Sequence, residues 1–153
     1  NNLNKLNILM VNKNKYYMSL TIDIHSFSYK KGGIPKDETG NGGGFAFDCR
    51  GILNPGRIEE YKTQTGCDVG VQEFLETKTE MPKFLDLVKS IVSINIDNYL
   101  GRNFEHLQIN FGCTGGQHRS VYCAEKTAAF IREKYPHVKA NIQHDEQPQL
   151  NHH

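Results

Sequence analysis

Apolar residues alternate with polar or small ones at several places along the chain, and this period of two is typical of strands with one buried face. The first run carries Met18, Leu20, Ile22 and Ile24. Similar short runs occupy residues 45–49, 106–111 and 138–142. The pattern therefore predicts four strands.

Apolar residues that recur every three or four positions predict helices between these strands. A long helix is predicted from residue 81 to about 99, with Thr79 as its cap and Pro82 in its first turn. Another is predicted from about 118 to 134, and a short one around Val71, Phe74 and Leu75. This order predicts a single α/β domain, with helices packed on a small, largely parallel or mixed sheet.

The two ends of the chain differ in composition from its middle. Residues 1–16 are rich in asparagine, and we predict a linker or a disordered lead-in there. Residues 17–147 carry the predicted strands and helices and form the expected domain. Residues 148–153 are predicted to form a tail.

Composition and charge narrow the cellular setting and the class of partner. No apolar run reaches the roughly 18 residues that a membrane span needs, so no membrane partner is expected. The N-terminus lacks a signal-peptide pattern and the four cysteines lack disulfide-framework spacing, which together predict the reducing cytoplasm. The net charge of +1 argues against nucleic-acid binding by charge alone. Homo-oligomer formation is left open.

Residues 112–120, Gly-Cys-Thr-Gly-Gly-Gln-His-Arg-Ser, contain the most specific pattern in the chain. The adjacent glycines Gly115 and Gly116 permit a sharp turn after the third strand. A helix start there would point its unpaired N–H groups and the positive end of its dipole at the turn. Arg119 adds a guanidinium that can donate two parallel hydrogen bonds to an anion. The segment therefore predicts a phosphate-binding site.

All residues of this loop from Cys113 to Ser120 are candidates for contact with the phosphorylated ligand, and they are expected to contribute in different ways. Main-chain N–H donation is expected from Thr114, Gly115, Gly116 and Gln117, with the Thr114 hydroxyl as an added donor. Ser120 is expected to cap the helix or to donate to the anion. His118 is expected to contact a sugar hydroxyl or a phosphate oxygen.

Three residues outside the loop are candidates for the same cleft. Asp48 and Arg50 end the second predicted strand, and Asp48 would accept hydrogen bonds from an amino group or from sugar hydroxyls. The alternative is a buried ion pair of Asp48 with Arg50 or Arg119 that only orients the loop. The Lys31 side chain is expected either to reach the phosphate or to be solvated by water at the surface.

Residues 112–121 resemble the hallmark sequence of the C-terminal domain of the RNase adapter protein RapZ, also called the YvcJ family. Ser-Phe-Ser-Tyr-Lys-Lys-Gly-Gly-Ile-Pro at 26–35 is similar to a second family motif. Phe-Asp-Cys-Arg at 47–50 with Asn54 and Pro55 matches a third, and Thr65, Gly66, Asp68 and His144 also fit. The resemblance spans about residues 22–147.

The resemblance implies a regulatory or sensor domain that binds a phosphorylated amino sugar, glucosamine-6-phosphate, and contributes to small-RNA binding in the full adapter. RNA or a regulatory protein is therefore an implied partner. The family's P-loop nucleotide-binding domain is not in this sequence, so ATP or GTP binding is not implied. The family's basic C-terminal tail is replaced by residues 144–147, His-Asp-Glu-Gln, and a neutral end, which weakens the expectation of RNA contact. Lys31 and an extra glycine replace the usual His-Gly.

The spacing Cys113-x5-Arg119 also matches the signature of cysteine-dependent phosphatases, in which a thiolate attacks phosphorus. A helix N-terminus and an arginine would lower the pKa of such a thiol. Asp48 or Asp68 would then serve as the general acid. Gly112 stands where those enzymes carry a histidine, so this activity is the alternative, and binding without turnover is the first expectation.

No metal ion or other cofactor is expected from the sequence. His25, His118 and His144 are far apart and lack the His-x-x-x-His pattern or the cysteine partner that a metal site usually shows.

Overall fold

The computed structural model describes residues 20–151, and within this range the chain forms four strands and three α-helices. The strands are β1 (Thr21–Ser28), β2 (Gly44–Asp48), β3 (His106–Cys113) and β4 (Lys139–His144). The helices are α1 (Val69–Lys78), α2 (Met81–Gly101) and α3 (Arg119–Lys134). Short 3-10 turns occupy Pro55–Arg57, Glu59–Tyr61 and Pro148–Leu150. The predicted α/β class is confirmed.

The strands form one sheet in the order β2-β3-β1-β4, and every neighbouring pair is parallel. In register, Ser28 lies beside Cys113 and Ser26 beside His144, while Asp48 lies beside Gly112. The carboxyl ends of all four strands therefore meet at one edge of the sheet. Ligands of open parallel sheets bind in the crevice beyond this edge.

Helix α3 packs on the sheet against β1, β3 and β4. Alternate apolar residues of the strands and one face of the helix share a single buried cluster, which includes Ile22, Ile24, Ile109, Phe111, Ala124, Ala128 and Ile131. Burying one large apolar side chain contributes about 1.5–3 kcal/mol. This core holds the start of α3 against the carboxyl edge of the sheet.

Most element boundaries differ from the predictions by a few residues, and two of the differences have a clear structural reason. Strand β3 continues to Cys113, because β1 pairs along its whole length and the Cys49 N–H donates to the Gly112 carbonyl at 2.8 Å. The prediction that Thr79 caps α2 is wrong by one position, since Glu80 holds the cap. The Thr79 hydroxyl instead donates to the Leu75 carbonyl at the end of α1 and accepts from the Met81 N–H.

Residues 1–19 and 152–153 lie outside the described range. The predicted lead-in at 1–16 and the apolar position Met18 therefore remain predictions, as do the domain boundaries. Near the end of the described range, Asn151 Oδ1 accepts a hydrogen bond of 2.7 Å from the His144 N–H. None of the helices between residues 20 and 151 is long and apolar enough to cross a membrane.

Candidate functional site

The loop between β3 and α3 is held in one conformation by its neighbours. Ser28 Oγ donates to the Thr114 carbonyl at 2.6 Å and accepts from the main-chain N–H groups of Lys30 and Lys31, each at 3.1 Å. Gly116 has a φ of +69°, and a Cβ there would lie 2.8 Å from Glu146 Cγ. This position therefore requires glycine both for its backbone conformation and for its close contact.

The main-chain N–H groups of residues 114–120 (loop 114–120) have no hydrogen-bond acceptor among the described residues 20–151. The first donor of this region with a partner is Tyr122, whose N–H bonds to the His118 carbonyl at 3.0 Å. Helix starts leave such donors unpaired, and their partial positive charge attracts anions. The loop therefore retains a group of unused donors at the carboxyl edge of the sheet.

Arg119 lies beneath the loop and is only 4% exposed. Its Nη1 donates to the Arg50 and Ile52 carbonyls at 3.1 and 2.7 Å, and its Nη2 lies 3.4 Å from Thr114 Oγ1. Its buried Nε has no partner among the described residues. The guanidinium thus joins residues 50–52 to the loop while keeping an unused donor.

The side chains of Gln117 and His118 bind the protein itself. Gln117 Nε2 donates to the Lys62 and Gln64 carbonyls, both at 2.8 Å. His118 Nε2 lies 2.8 Å from the Tyr61 carbonyl, which can only accept, so this nitrogen carries the proton. Burial lowers the pKa of His118, so the ring is neutral at pH 7 and its Nδ1 is left as an acceptor. These contacts connect the loop to residues 61–64.

Cys113 and Ser120 are both buried, and the Sγ and Oγ atoms are 3.0 Å apart. Cys113 ends β3 and Ser120 stands in the first turn of α3. Their contact closes the base of the loop from strand to helix. The two side chains that the phosphatase signature requires, Cys113 and Arg119, therefore lie on either side of the same loop.

Asp48 and Arg50 form an ion pair at the surface. Arg50 Nε lies 2.9 and 3.1 Å from the two Asp48 oxygens and its Nη2 lies 2.7 Å from Oδ2. The Arg50 guanidinium also stacks over the Tyr29 ring, 3.9 Å from its centroid. The hydrogen bond from Arg50 lowers the pKa of Asp48, which stays ionised at neutral pH. Of the two buried ion pairs predicted as alternatives, the one with Arg50 forms, but the prediction of burial is wrong, since both side chains are exposed.

The remaining candidates, Lys31 and Asp68, have no hydrogen bond to loop 114–120 among the described residues. Lys31 is exposed, and Asp68 Oδ2 accepts from the Thr65 N–H at 2.6 Å. Ser28 and Glu146 contact the loop but were missed as site residues, although Ser28 belongs to the motif at 26–35. Nothing in the local sequence around Glu146 indicates that it packs on Gly116.

A second cluster of polar side chains lies near the same edge. His25 pairs with Asp145 at 3.0 Å, and the fully buried His144 contacts Ser26 and Glu125. Cys67 Sγ lies 3.7 Å from Glu125 Oε1. Burial and the Glu125 carboxylate raise the pKa of Cys67 to about 11.

Comparison with known proteins identifies the family. The family model of the RapZ C-terminal domain matches residues 20–148. A nucleotide-binding protein of Endomicrobium trichonymphae is 36% identical over 130 residues, which is 82% of this chain and 43% of the relative. A nucleotide-binding protein of Dinoroseobacter shibae is 38% identical over 114 residues, or 74% of this chain and 36% of the relative.

The matches cover almost all of the described residues, and the chain belongs to the RapZ C-terminal domain family, as its motifs predicted. The chain spans less than half the length of these curated relatives.

Proposed function

We propose that this member of the RapZ C-terminal domain family is a sensor domain that binds the phosphate of a small phosphorylated ligand on loop 114–120. The observation that carries the proposal is the set of main-chain N–H groups without acceptors among the described residues. Hydrogen bonds to a charged group contribute about 1.5–3 kcal/mol each. A few such hydrogen bonds are enough to bind a phosphate specifically, although the net charge of the chain is only +1.

Arg119 supports the same proposal from the other side of the loop. Two carbonyls hold its Nη1, and Nε has no described partner. A buried guanidinium with an unused N–H is costly unless an acceptor arrives. A phosphate oxygen would supply that acceptor, and the positive charge would neutralise part of the ligand's charge.

The expected ligand class is an amino-sugar phosphate such as glucosamine-6-phosphate. The family resemblance supports this class, and the ionised Asp48 carboxylate at the carboxyl edge offers an acceptor for an ammonium group. The relatives' names refer to nucleotides, which also carry phosphate. A binding experiment therefore has to compare amino-sugar phosphates with nucleotides.

Isothermal titration of the chain tests the proposal. Glucosamine-6-phosphate is expected to bind more tightly than glucose-6-phosphate, and glucosamine without phosphate is expected not to bind. Tighter binding of ATP or GTP than of either sugar phosphate would refute the amino-sugar class. No binding of any phosphorylated compound would refute the site itself.

Phosphatase activity is a second candidate, favoured by the 3.0 Å contact between Cys113 Sγ and Ser120 Oγ. A neighbouring hydroxyl can stabilise a thiolate nucleophile by donating a hydrogen bond. This candidate predicts release of phosphate from an aryl phosphate, with loss of turnover in Cys113→Ser. Absence of turnover above background in the unaltered chain would remove it.

An RNA-adapter role is the further proposal that family membership supports. Contact with RNA phosphates depends strongly on salt because bound counterions are released. We expect any binding of a small RNA by this nearly neutral chain to weaken steeply between low and physiological salt in a gel-shift measurement. Salt-independent binding would show a different mode of recognition.

A further inference from the structure

Three side chains with metal-ligating atoms converge from separate parts of the fold. Cys67 lies in the turn before α1, Glu125 in α3 and His144 at the end of β4. His144 Nε2 is 2.8 Å from Glu125 Oε1, and Cys67 Sγ is 3.7 Å from the same oxygen. All three donor atoms lie within 4.8 Å of one another.

We propose that Cys67, Glu125 and His144 form a zinc site next to the loop that we assign to phosphate. Zinc binds thiolate sulfur, imidazole nitrogen and carboxylate oxygen, and this set contains one of each. Tetrahedral zinc, with bonds of about 2.0–2.3 Å, places its ligand atoms about 3.4–3.6 Å apart. The observed separations of 2.8 and 3.7 Å lie on either side of this spacing, so small side-chain rotations would place the three atoms around a common centre.

The surroundings of His144 suit a metal ligand. The ring is fully buried, and its second nitrogen, Nδ1, lies 2.6 Å from Ser26 Oγ. Histidine ligands of zinc are normally oriented by such a hydrogen bond at the other ring nitrogen. A serine hydroxyl both donates and accepts, so Ser26 can donate to Nδ1 without metal and accept from it when zinc occupies Nε2.

Charge also favours a dication at this position. A thiolate at Cys67 and a carboxylate at Glu125 would together balance the two charges of zinc, while His144 binds as neutral imidazole. Asp68 adds a further negative charge near Cys67. Cys67 and Glu125 are half-buried, which leaves room on the solvent side for water as a fourth ligand.

No sequence pattern indicates this set of ligands, because its members are far apart along the chain. Cys67 and Glu125 are separated by 58 positions, and Glu125 and His144 by 19. The parallel pairing of β4 with β1 brings His144 beside Ser26, and α3 then places Glu125 over both. Tertiary structure alone creates the site.

Cobalt titration of the full chain, kept reduced, tests the proposal. One cobalt ion per chain is expected to bind with a thiolate-to-cobalt charge-transfer band and the intense visible absorption of a tetrahedral site, and one equivalent of zinc should displace it. Cys67→Ser should abolish the charge-transfer band, and Glu125→Gln should weaken binding without removing the thiolate. Ser26→Ala should weaken zinc binding by about tenfold to 100-fold.

Two controls separate this site from other histidines. His106 lies 3.7 Å from Asp23 in a more exposed histidine–carboxylate pair without a thiol, and His106→Asn should leave metal binding unchanged. The double variant His152→Asn and His153→Asn removes the terminal histidines and should also bind normally. No charge-transfer band in the unaltered chain, or the same band in a folded Cys67→Ser variant, would overturn the assignment.

Discussion

Two loops of this chain both contain glycines, but they differ in whether their main-chain N–H groups have a hydrogen-bond acceptor. The first, residues 37–43 (loop 37–43), precedes β2, and the second, loop 114–120, leads into α3 and includes its first two residues. Both contain glycines with positive φ, at Gly40, Gly42 and Gly43 in one and at Gly116 in the other. Backbone freedom is therefore common to the two loops and does not distinguish them.

Loop 37–43 supplies its own anion. The Asp37 carboxylate accepts from the Thr39 N–H at 3.0 Å, from the Thr39 hydroxyl at 2.6 Å and from the Gly43 N–H at 3.1 Å. Loop 114–120 has no such internal acceptor among the described residues, and a helix begins at its end. The comparison indicates that unsatisfied N–H groups, and not glycine content, mark a loop for an external anion.

The largest effect is expected from Arg119→Ala. It leaves the Arg50 and Ile52 carbonyls without their donor and removes the only cation buried beneath loop 114–120 among the described residues. We expect loss of phosphate binding and a decrease of about 2–4 kcal/mol in the free energy of unfolding, measured by urea denaturation. Arg50→Ala, which breaks a surface ion pair, should cost less than about 1 kcal/mol. Equal costs for the two variants would contradict the structural role of Arg119.

Alanine at Gly116 should be the next most damaging change. A residue other than glycine at φ +69° is strained, and its Cβ would lie 2.8 Å from Glu146 Cγ. We expect a loss of about 1–3 kcal/mol in unfolding free energy. Gly42→Ala in loop 37–43 has a similar φ of +85° but meets no atom within 4 Å, so it should carry only the backbone cost of about 1–2 kcal/mol and less than Gly116→Ala. A larger loss for Gly42→Ala than for Gly116→Ala would contradict the close packing of Gly116 against Glu146.

Gly115→Ala should separate binding from stability. A Cβ at Gly115 meets nothing within 4 Å, so unfolding free energy should change by less than about 0.5 kcal/mol. The methyl group would occupy open space next to the Gly115 and Gly116 N–H groups, and losing one hydrogen bond to phosphate weakens affinity by about tenfold. Gly51→Ala, also with nothing within 4 Å, is the matched control and should bind normally. Unchanged affinity in Gly115→Ala, measured by isothermal titration, would place the anion elsewhere.

The smallest effect concerns pH and loop 37–43. Hydrogen bonds from Thr39 lower the pKa of Asp37 to about 2. Because the folded pKa lies below the unfolded one, the stabilisation is complete above the unfolded pKa and is lost as the pH falls through about 2. The carboxylate is solvent-exposed, so the change in stability should be slight. A side-chain NMR titration of Asp37 should give a midpoint near 2, and a midpoint near 4 would show that the loop does not hold this carboxylate.

Local patterns predicted the strands, the helices and the position of loop 114–120, because period and glycine placement act over a few residues. The burial of Arg119 was not predictable, since the Arg50 and Ile52 carbonyls that hold it lie 69 and 67 positions away. The same applies to Gln117 and His118, whose side chains bind residues 61–64. Long-range contacts thus determine which of the predicted polar side chains are used to support the loop.

An amide NMR titration with glucosamine-6-phosphate tests the central claim most directly. We expect saturable shifts of the N–H resonances of residues 114–120, with the resonances of loop 37–43 unchanged. Saturable binding that leaves the resonances of residues 114–120 in place, or that shifts only those of loop 37–43, would contradict that claim.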